Sequence, residues 1–292
     1  MSRFCWPRPG YNQEFREIQA EKFDRNVSPE KKNMRYLNTT KSVLALLTLG
    51  VCLPVSSLAD EPSTAEEHPL RPAIRYAKAC LEKVEALPGY EATFYKKEVV
   101  GKAVISQQMK IKVRHEPFSV YLYFQTPHEG REVIYVDGAN NGKLLAHEAG
   151  LFSIAGTMEL MPTDPMVMGE NRYPITMAGI ANAVKVIIDR WEEETKYGEI
   201  DVKYFPEAKL GSLTCRVVEA THPVPRRQFD SHKIRMWVDT KSGLPVRMQK
   251  FGFPRKAGGE PPIIEDYTFT DIKTDTRLTD ADFDRNNSKY SF

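Results

Sequence analysis

Beyond the first sixty-odd residues the apolar positions follow two rhythms. Over 69–87, Ile74, Ala77, Leu81 and Val84 recur every three or four residues. Pro72 suits the first turn and Pro88-Gly89 a stop, so this stretch predicts an amphipathic helix. The period then shortens to two. Residues 90–100 are rich in aromatic and β-branched side chains, and Met109, Ile111 and Val113 alternate with Lys110, Lys112 and Arg114. That alternation gives one buried and one wet face. Phe118, Val120, Leu122 and Phe124 alternate with Ser119, Tyr121, Tyr123 and Gln125, so both faces of that strand carry bulk. Strands over 133–136 and 143–147 follow, parted by the turn residues Asp137-Gly138 and Asn140-Asn141-Gly142.

The pattern vanishes from 150 to 174. A second helix is predicted over 176–196, with Ile180, Val184, Ile187, Ile188 and Trp191 on one face and Glu192-Glu193-Glu194 near its end. Strands are then predicted over 202–205, 214–220, 233–239, 244–251 and 263–270, with Lys241-Ser242-Gly243 as a tight hairpin turn. About ten strands joined by short turns, with two or three helices, imply an α+β fold on an antiparallel sheet. No repeat divides the body, which reads as one domain over 69–292.

The patternless stretch is unusual in content. Met158, Met161, Met166, Met168 and Met177 place half of the ten methionines in twenty residues, beside Phe152, Ile154 and Leu160. Pro162 and Pro165 break any helix there. Methionine suits surfaces that adapt to several apolar shapes, and so long a loop is uncommon unless it is a lid, a binding loop or disordered. This one is too apolar for disorder. It should lie over an apolar surface, either the protein's own core or a ligand cavity.

The N-terminal region reads as an address. Arg35 and Lys41 precede the mostly apolar run 43–53, Pro54 ends it, and Ser57-Leu58-Ala59 supplies small residues for a signal peptidase. The run is short of the ~20 apolar residues that span a bilayer. Residues 34–59 are therefore expected to be a signal peptide cleaved after Ala59, with 60–68 a polar linker and the product periplasmic or secreted. Residues 1–33 are polar and interrupted by Pro7, Pro9 and Pro29. They read as a disordered gene-model extension ahead of a start at Met34. Lipid attachment at Cys52 is disfavoured, because Val51 is not small. Export leaves Cys80 and Cys215, and two readings stay open: a disulfide, or two unpaired buried thiols.

Charge narrows the function classes. Lys plus Arg number 41 against 39 for Asp plus Glu, and nine of the basic and five of the acidic residues precede Asp60. The body is then near neutral with no basic stripe, which excludes tracking a nucleic-acid backbone. No phosphate-binding glycine loop, nucleophile elbow or His-Glu-x-x-His is present. His128-Glu129 and His147-Glu148 could meet on adjacent strands as a weak metal or acid–base candidate. Asp280, Asp282 and Asp284 lack the rest of a calcium loop, and they read, like Arg226-Arg227, as solvated surface. No enzyme activity, cofactor or metal is expected.

One stretch carries a family likeness. Met236-Trp237-Val238-Asp239-Thr240-Lys241-Ser242-Gly243-Leu244-Pro245 resembles the Trp-x-Asp-x-x-Thr/Ser-Gly-Leu-Pro hairpin of LolA/LolB-type lipoprotein carriers. Residues 267–272, followed by Leu278-Thr279-Asp280-Ala281-Asp282-Phe283, are similar to the closing strand and tail of that superfamily. The whole body is also similar to an exported bacterial family known only as a domain of unknown function. The middle segment and residues 221–231 depart from the classical carriers.

The resemblance implies a curved antiparallel half-barrel with helices on its concave side, enclosing a cavity for acyl chains. Phe118, Leu122, Phe124, Phe152, Met158, Leu160, Met161, Met166, Met168 and Trp237 are then the expected lining. The implied cargo is a lipid or lipoprotein acyl chain, with peripheral membrane contact. At ~0.8 kcal/mol per CH₂ a sixteen-carbon chain needs roughly 12 kcal/mol of apolar environment, which only a deep concavity supplies. The alternative is an envelope sensor or scaffold using the same fold to bind a protein partner.

Overall fold

The computed structural model describes residues 67–292; the expected signal peptide over 34–59, Cys52 and the expected 1–33 extension lie outside the described residues. Helix α1 (Leu70–Glu85) buries Leu70, Ala73, Ile74, Ala77, Cys80 and Val84 along one stripe. The expected spacing thus sets the face that packs. Gly89 follows because a side chain there would press a Cβ to 2.5 Å from the Val113 carbonyl oxygen.

Eleven strands then form one antiparallel sheet. The first meander is β1 (Gly89–Val100), β2 (Ala103–Arg114), β3 (Ser119–Thr126), β4 (Glu132–Val136), β5 (Leu144–His147) and β6 (Thr157–Leu160). The second is β7 (Asp201–Leu210), β8 (Leu213–Thr221), β9 (Lys233–Asp239), β10 (Pro245–Phe251) and β11 (Ile263–Lys273). The order is β6-β5-β4-β3-β2-β1-β11-β10-β9-β8-β7, so the first and last strands in sequence join the two meanders at the centre. The sheet is open, with β6 and β7 as its edges. This is the curved half-barrel that the resemblance implied.

Between β6 and β7 the chain must cross from one edge to the other, ten strand spacings of ~4.8 Å. It does so over the inner face, as a strap (residues 161–179) and then helix α3 (Ile180–Glu194). The strap holds a four-residue helix, α2 (Pro165–Met168), whose first amide is capped by Asp164 at 2.8 Å. Helices α1 and α3 pack side by side on that face, tied at their exposed flanks by Lys78–Glu192 (2.5 Å) and Lys185–Glu85 (2.6 Å). Exposed pairs of this kind contribute ~0–1 kcal/mol. The burial of Ile74, Val84, Ile180, Val184 and Trp191 against the sheet outweighs them, at ~1.5–3 kcal/mol per large apolar side chain.

Three boundaries differ from the sequence reading, each for a local reason. Strand β6 was not expected, because its four residues carry no alternating run. Strand β7 extends to Leu210 despite Pro206; the edge position tolerates a missing N–H, and the register slips between Phe205 and Ala208. Helix α3 starts at Ile180 rather than 176, because Gly179 has φ +96°, outside helical geometry.

The outer face has its own packing. The hairpin after β9 is built by Asp239, whose carboxylate accepts from the Ser242 amide (2.8 Å) and hydroxyl (2.6 Å), while Gly243 turns with φ +73°. Cys215 lies in an outer-face cluster with Val217, Trp237 and Val246, whereas Cys80 lies in the inner-face core under α1. Neither forms a disulfide among the described residues. The sheet separates them, so the disulfide reading is corrected. The tail returns over β2 and β3, where Tyr121 and Tyr290 stack at 4.1 Å. Asp282 bonds Lys112 (2.7 Å) and closes a capping box with Thr279, and Asp280 bonds Arg114 (2.6 Å). Asp282, half-buried, therefore pins the tail, while Asp280 and Asp284 stay exposed as expected.

Candidate functional site

A cavity of about 1100 Å³ lies between the inner face, the strap and α3. Its floor follows from strand register. Phe94 on β1 sits opposite Met109 on β2 and Phe269 on β11, and the two phenyl rings stack at 4.5 Å. Leu122, Phe124, Val133 and Ala146 carry the apolar wall along β3, β4 and β5, and Met158 and Leu160 extend it on β6. Ile187 faces it from α3.

One step along the same strands the wall becomes polar. Gln107, Lys96 and Tyr267 stand side by side across β2, β1 and β11, followed by Glu98 opposite Glu265. All five are buried. The strap satisfies most of this belt. Lys96 Nζ donates to the Glu170 carbonyl (3.1 Å) and to Asn171 Oδ1. The Arg172 amide donates to Glu98 Oε2 (2.9 Å), Arg172 Nε to Glu265 Oε1 (2.9 Å) and Tyr173 Oη to Glu265 Oε1 (3.2 Å). Burial lowers the Lys96 ammonium's pKa, opposed by Glu98, and burial raises that of the Glu265 carboxyl. Tyr267 is pushed upward by burial and by Glu98, to which its hydroxyl donates.

Glu170 is the most heavily contacted strap carboxylate. It accepts from Gln107 Nε2 (3.2 Å) and Arg131 Nη1 (3.0 Å), with His128 Nε2 at 3.6 Å. These neighbours, His128 first and then Arg131, hold its pKa down at about 2. Arg131 also pairs with Glu148 (2.6 Å) and lies over the Phe124 ring at 5.3 Å. Beside this corner the turn Gly150–Ala155 projects Leu151 and Ile154 at 87% and 88% exposure, with Phe152 exposed between them.

Residues 87–292 match a family described as a protein of unknown function, DUF1571. The chain belongs to the DUF1571 family. No curated protein sequence matches it. The DUF1571 domain is similar to a DUF1329 family protein from Desulfovibrio piger, at 12% identity over 74% of this chain and 98% of that one (TM-score 0.36). Lipoprotein LppX from Mycobacterium tuberculosis is similar at 11% identity over 71% and 98% (TM-score 0.41). A LolA superfamily protein from Nitrosomonas europaea follows at 11% over 72% and 97% (TM-score 0.29). These likenesses lie in the fold alone.

Of the ten residues expected to line a cavity in this DUF1571 domain, Leu122, Phe124, Phe152, Met158, Leu160 and Met166 do so. Four do not. Phe118 packs at 6.3 Å from Tyr135, in a separate recess below the start of α3. Met161 is exposed and Met168 half-buried on the strap, both off the cavity wall. Trp237 points to the outer face and donates to Gln249 Oε1 at 3.0 Å. The two His-Glu pairs do not converge: His128 and Glu148 face the cavity, while His147 packs near Phe292 of the tail. Among the described residues no group of three or more His, Cys, Asp or Glu is placed to hold a metal. The sequence reading missed the belt, although Lys96 shares strand parity with Phe94, and Gln107 with Met109.

Proposed function

We propose that this DUF1571 protein is an exported, non-enzymatic binding protein that holds an acyl chain, as a lipid or a lipoprotein anchor, in the half-barrel cavity. The observation that carries this is about 1100 Å³ of unfilled space with an apolar wall along β3 to β6 and the Phe94–Phe269 floor, bounded on one side by the polar belt. Small-molecule sites usually enclose ~300–1,000 Å³. A core of the same residues would ordinarily close up, since interiors pack like organic crystals. Here the space between the floor, the strap and α3 stays unfilled. Leu151, Phe152 and Ile154 beside the opening give a small apolar contact for a membrane surface, where a chain can pass without crossing water. The n-h-c pattern of residues 34–59 supports export.

The test is native mass spectrometry after mild extraction, with fluorescent fatty-acid displacement on wild-type protein and on Ala183→Trp, which fills the cavity from α3. Wild type should carry and exchange lipid, and the variant should melt normally yet lose exchange. Wild type with no copurifying lipid and no displacement at micromolar concentration overturns the reading.

A further inference from the structure

The corner around Glu170 contains more ionic structure than holding a strap in place requires. A loop can be fastened over an apolar bowl by apolar contacts, as Val167 and Tyr173 already do. Instead the cavity wall places a guanidinium, an amide N–H₂ and an imidazole around one carboxylate brought in by the strap. Arg131 stands on the Phe124 ring, so its charge lies directly above the apolar wall. Gln107 is 2% exposed, and its Oε1 has no hydrogen-bond partner. An oxyanion at the Glu170 position would therefore have two donors in reach and a hydrocarbon surface immediately beneath it. That is the outline of an amphiphile's head and the start of its tail.

We propose that the Glu170 carboxylate is an internal stand-in for the head group of an anionic amphiphile, which takes its place on Arg131, Gln107 and His128 when the tail enters the cavity. The proposal rests on the acyl-chain reading above and names the ligand class that reading leaves open. Charge bookkeeping favours an anion. Exchanging one carboxylate for another oxyanion leaves the corner balanced, with Arg131 still shared with Glu148. A neutral head would leave the guanidinium short of one counter-charge, and a cationic head would add repulsion. The open acceptor of Gln107 further suits a head with a hydroxyl beside its oxyanion, which can donate to it. The displaced Glu170 side chain, already one-third exposed, turns to water without unfolding the strap, because Lys96 holds the residue's carbonyl rather than its carboxylate.

The experiment compares three ligands with one tail: palmitate, hexadecyl phosphate and hexadecanol, each displacing a fluorescent probe from the full chain. Wild type should bind the two anions at least about tenfold more tightly than the alcohol, the size expected for a hydrogen bond to a charged group. A preference between the anions distinguishes a carboxylate source from a phosphate source. Glu170→Gln removes the competing charge and should tighten both anions severalfold while leaving hexadecanol unchanged. Arg131→Met should erase the preference by weakening only the anions. If it fails to fold for want of a partner to Glu148, wild type and Glu170→Gln still decide the matter. Equal binding of all three ligands, unchanged in Glu170→Gln, overturns this inference alone. Binding of none overturns the acyl-chain reading beneath it.

Discussion

The Tyr90 hydroxyl, on a completely buried side chain at the start of β1, accepts a hydrogen bond from the Ile180 amide at 2.8 Å. A strand residue thus caps the helix that roofs the cavity. Gly179 has to be a glycine beside it: a Cβ there would lie 2.9 Å from the same hydroxyl oxygen. Tyr90→Phe leaves the Ile180 amide buried without a partner and should cost about 1–3 kcal/mol. Urea unfolding measures this, with an unchanged m-value showing that the fold is retained.

The hairpin tryptophan belongs to a different structure. Trp237 Nε1 donates to Gln249, Gln249 donates to Asp266 (3.0 Å), and Arg247 grips the same carboxylate twice, at 2.9 and 2.7 Å. Arg247 and Asp266 are both buried, so truncating one strands the other's charge. Asp266→Ala should destabilise by about 3–5 kcal/mol. Trp237→Phe should lower the melting temperature modestly and leave lipid affinity unchanged, since the indole faces away from the cavity.

His222 sets an alkaline limit. Its Nε2 lies 3.2 Å from Glu194 Oε2 at the end of α3, its Nδ1 lies 2.9 Å from the Glu199 carbonyl, and its ring stacks on Phe229 at 3.6 Å. Burial alone would lower the imidazole's pKa, but Glu194 and the Glu199 carbonyl hold the proton and raise it above 6.5. The stabilisation is therefore complete below pH ~6.5 and is lost as pH rises through the raised folded value. Melting temperatures of wild type and His222→Gln between pH 5.5 and 9 check this. The gap should be widest in acid and narrow toward alkali; a constant gap refutes it.

With Cys80 and Cys215 on opposite faces of the sheet, reductant should leave the melting temperature of the oxidised, purified protein unchanged. Thiol titration should find both groups slow to react in the native state and fast in denaturant, because both are buried.

Most of the sheet was legible because its alternation is clean. Met109, Ile111 and Val113 point inward in the structure, and Lys110 and Lys112 outward, as the two-residue period requires. Leu122 and Phe124 were legible for the same reason, whereas Met158 and Leu160 stood out only through the apolar, methionine-rich content of a stretch without alternation. The polar half of the cavity was not legible, because a lysine or glutamate in a strand is ordinarily assigned to water. The available signal was parity. Lys96 follows Ala92 and Phe94 on one face, Glu265 precedes Tyr267 and Phe269, and Trp237 falls between the inward-facing Met236 and Val238. Long-range placement had no such signal. Nothing local in residues 161–200 says that they join opposite edges of one sheet.

That anchoring governs how the container can empty. A span stitched to both rims behaves like the handle of a basket: it can bow, but it cannot swing aside as a door does. Under the proposed acyl-chain function, cargo slips out sideways beneath it, past the greasy knuckle at Gly150–Ala155. A single protease nick in the handle would leave the dish whole, its ribs still joined through β1 and β11 and α3 still packed on its inner face.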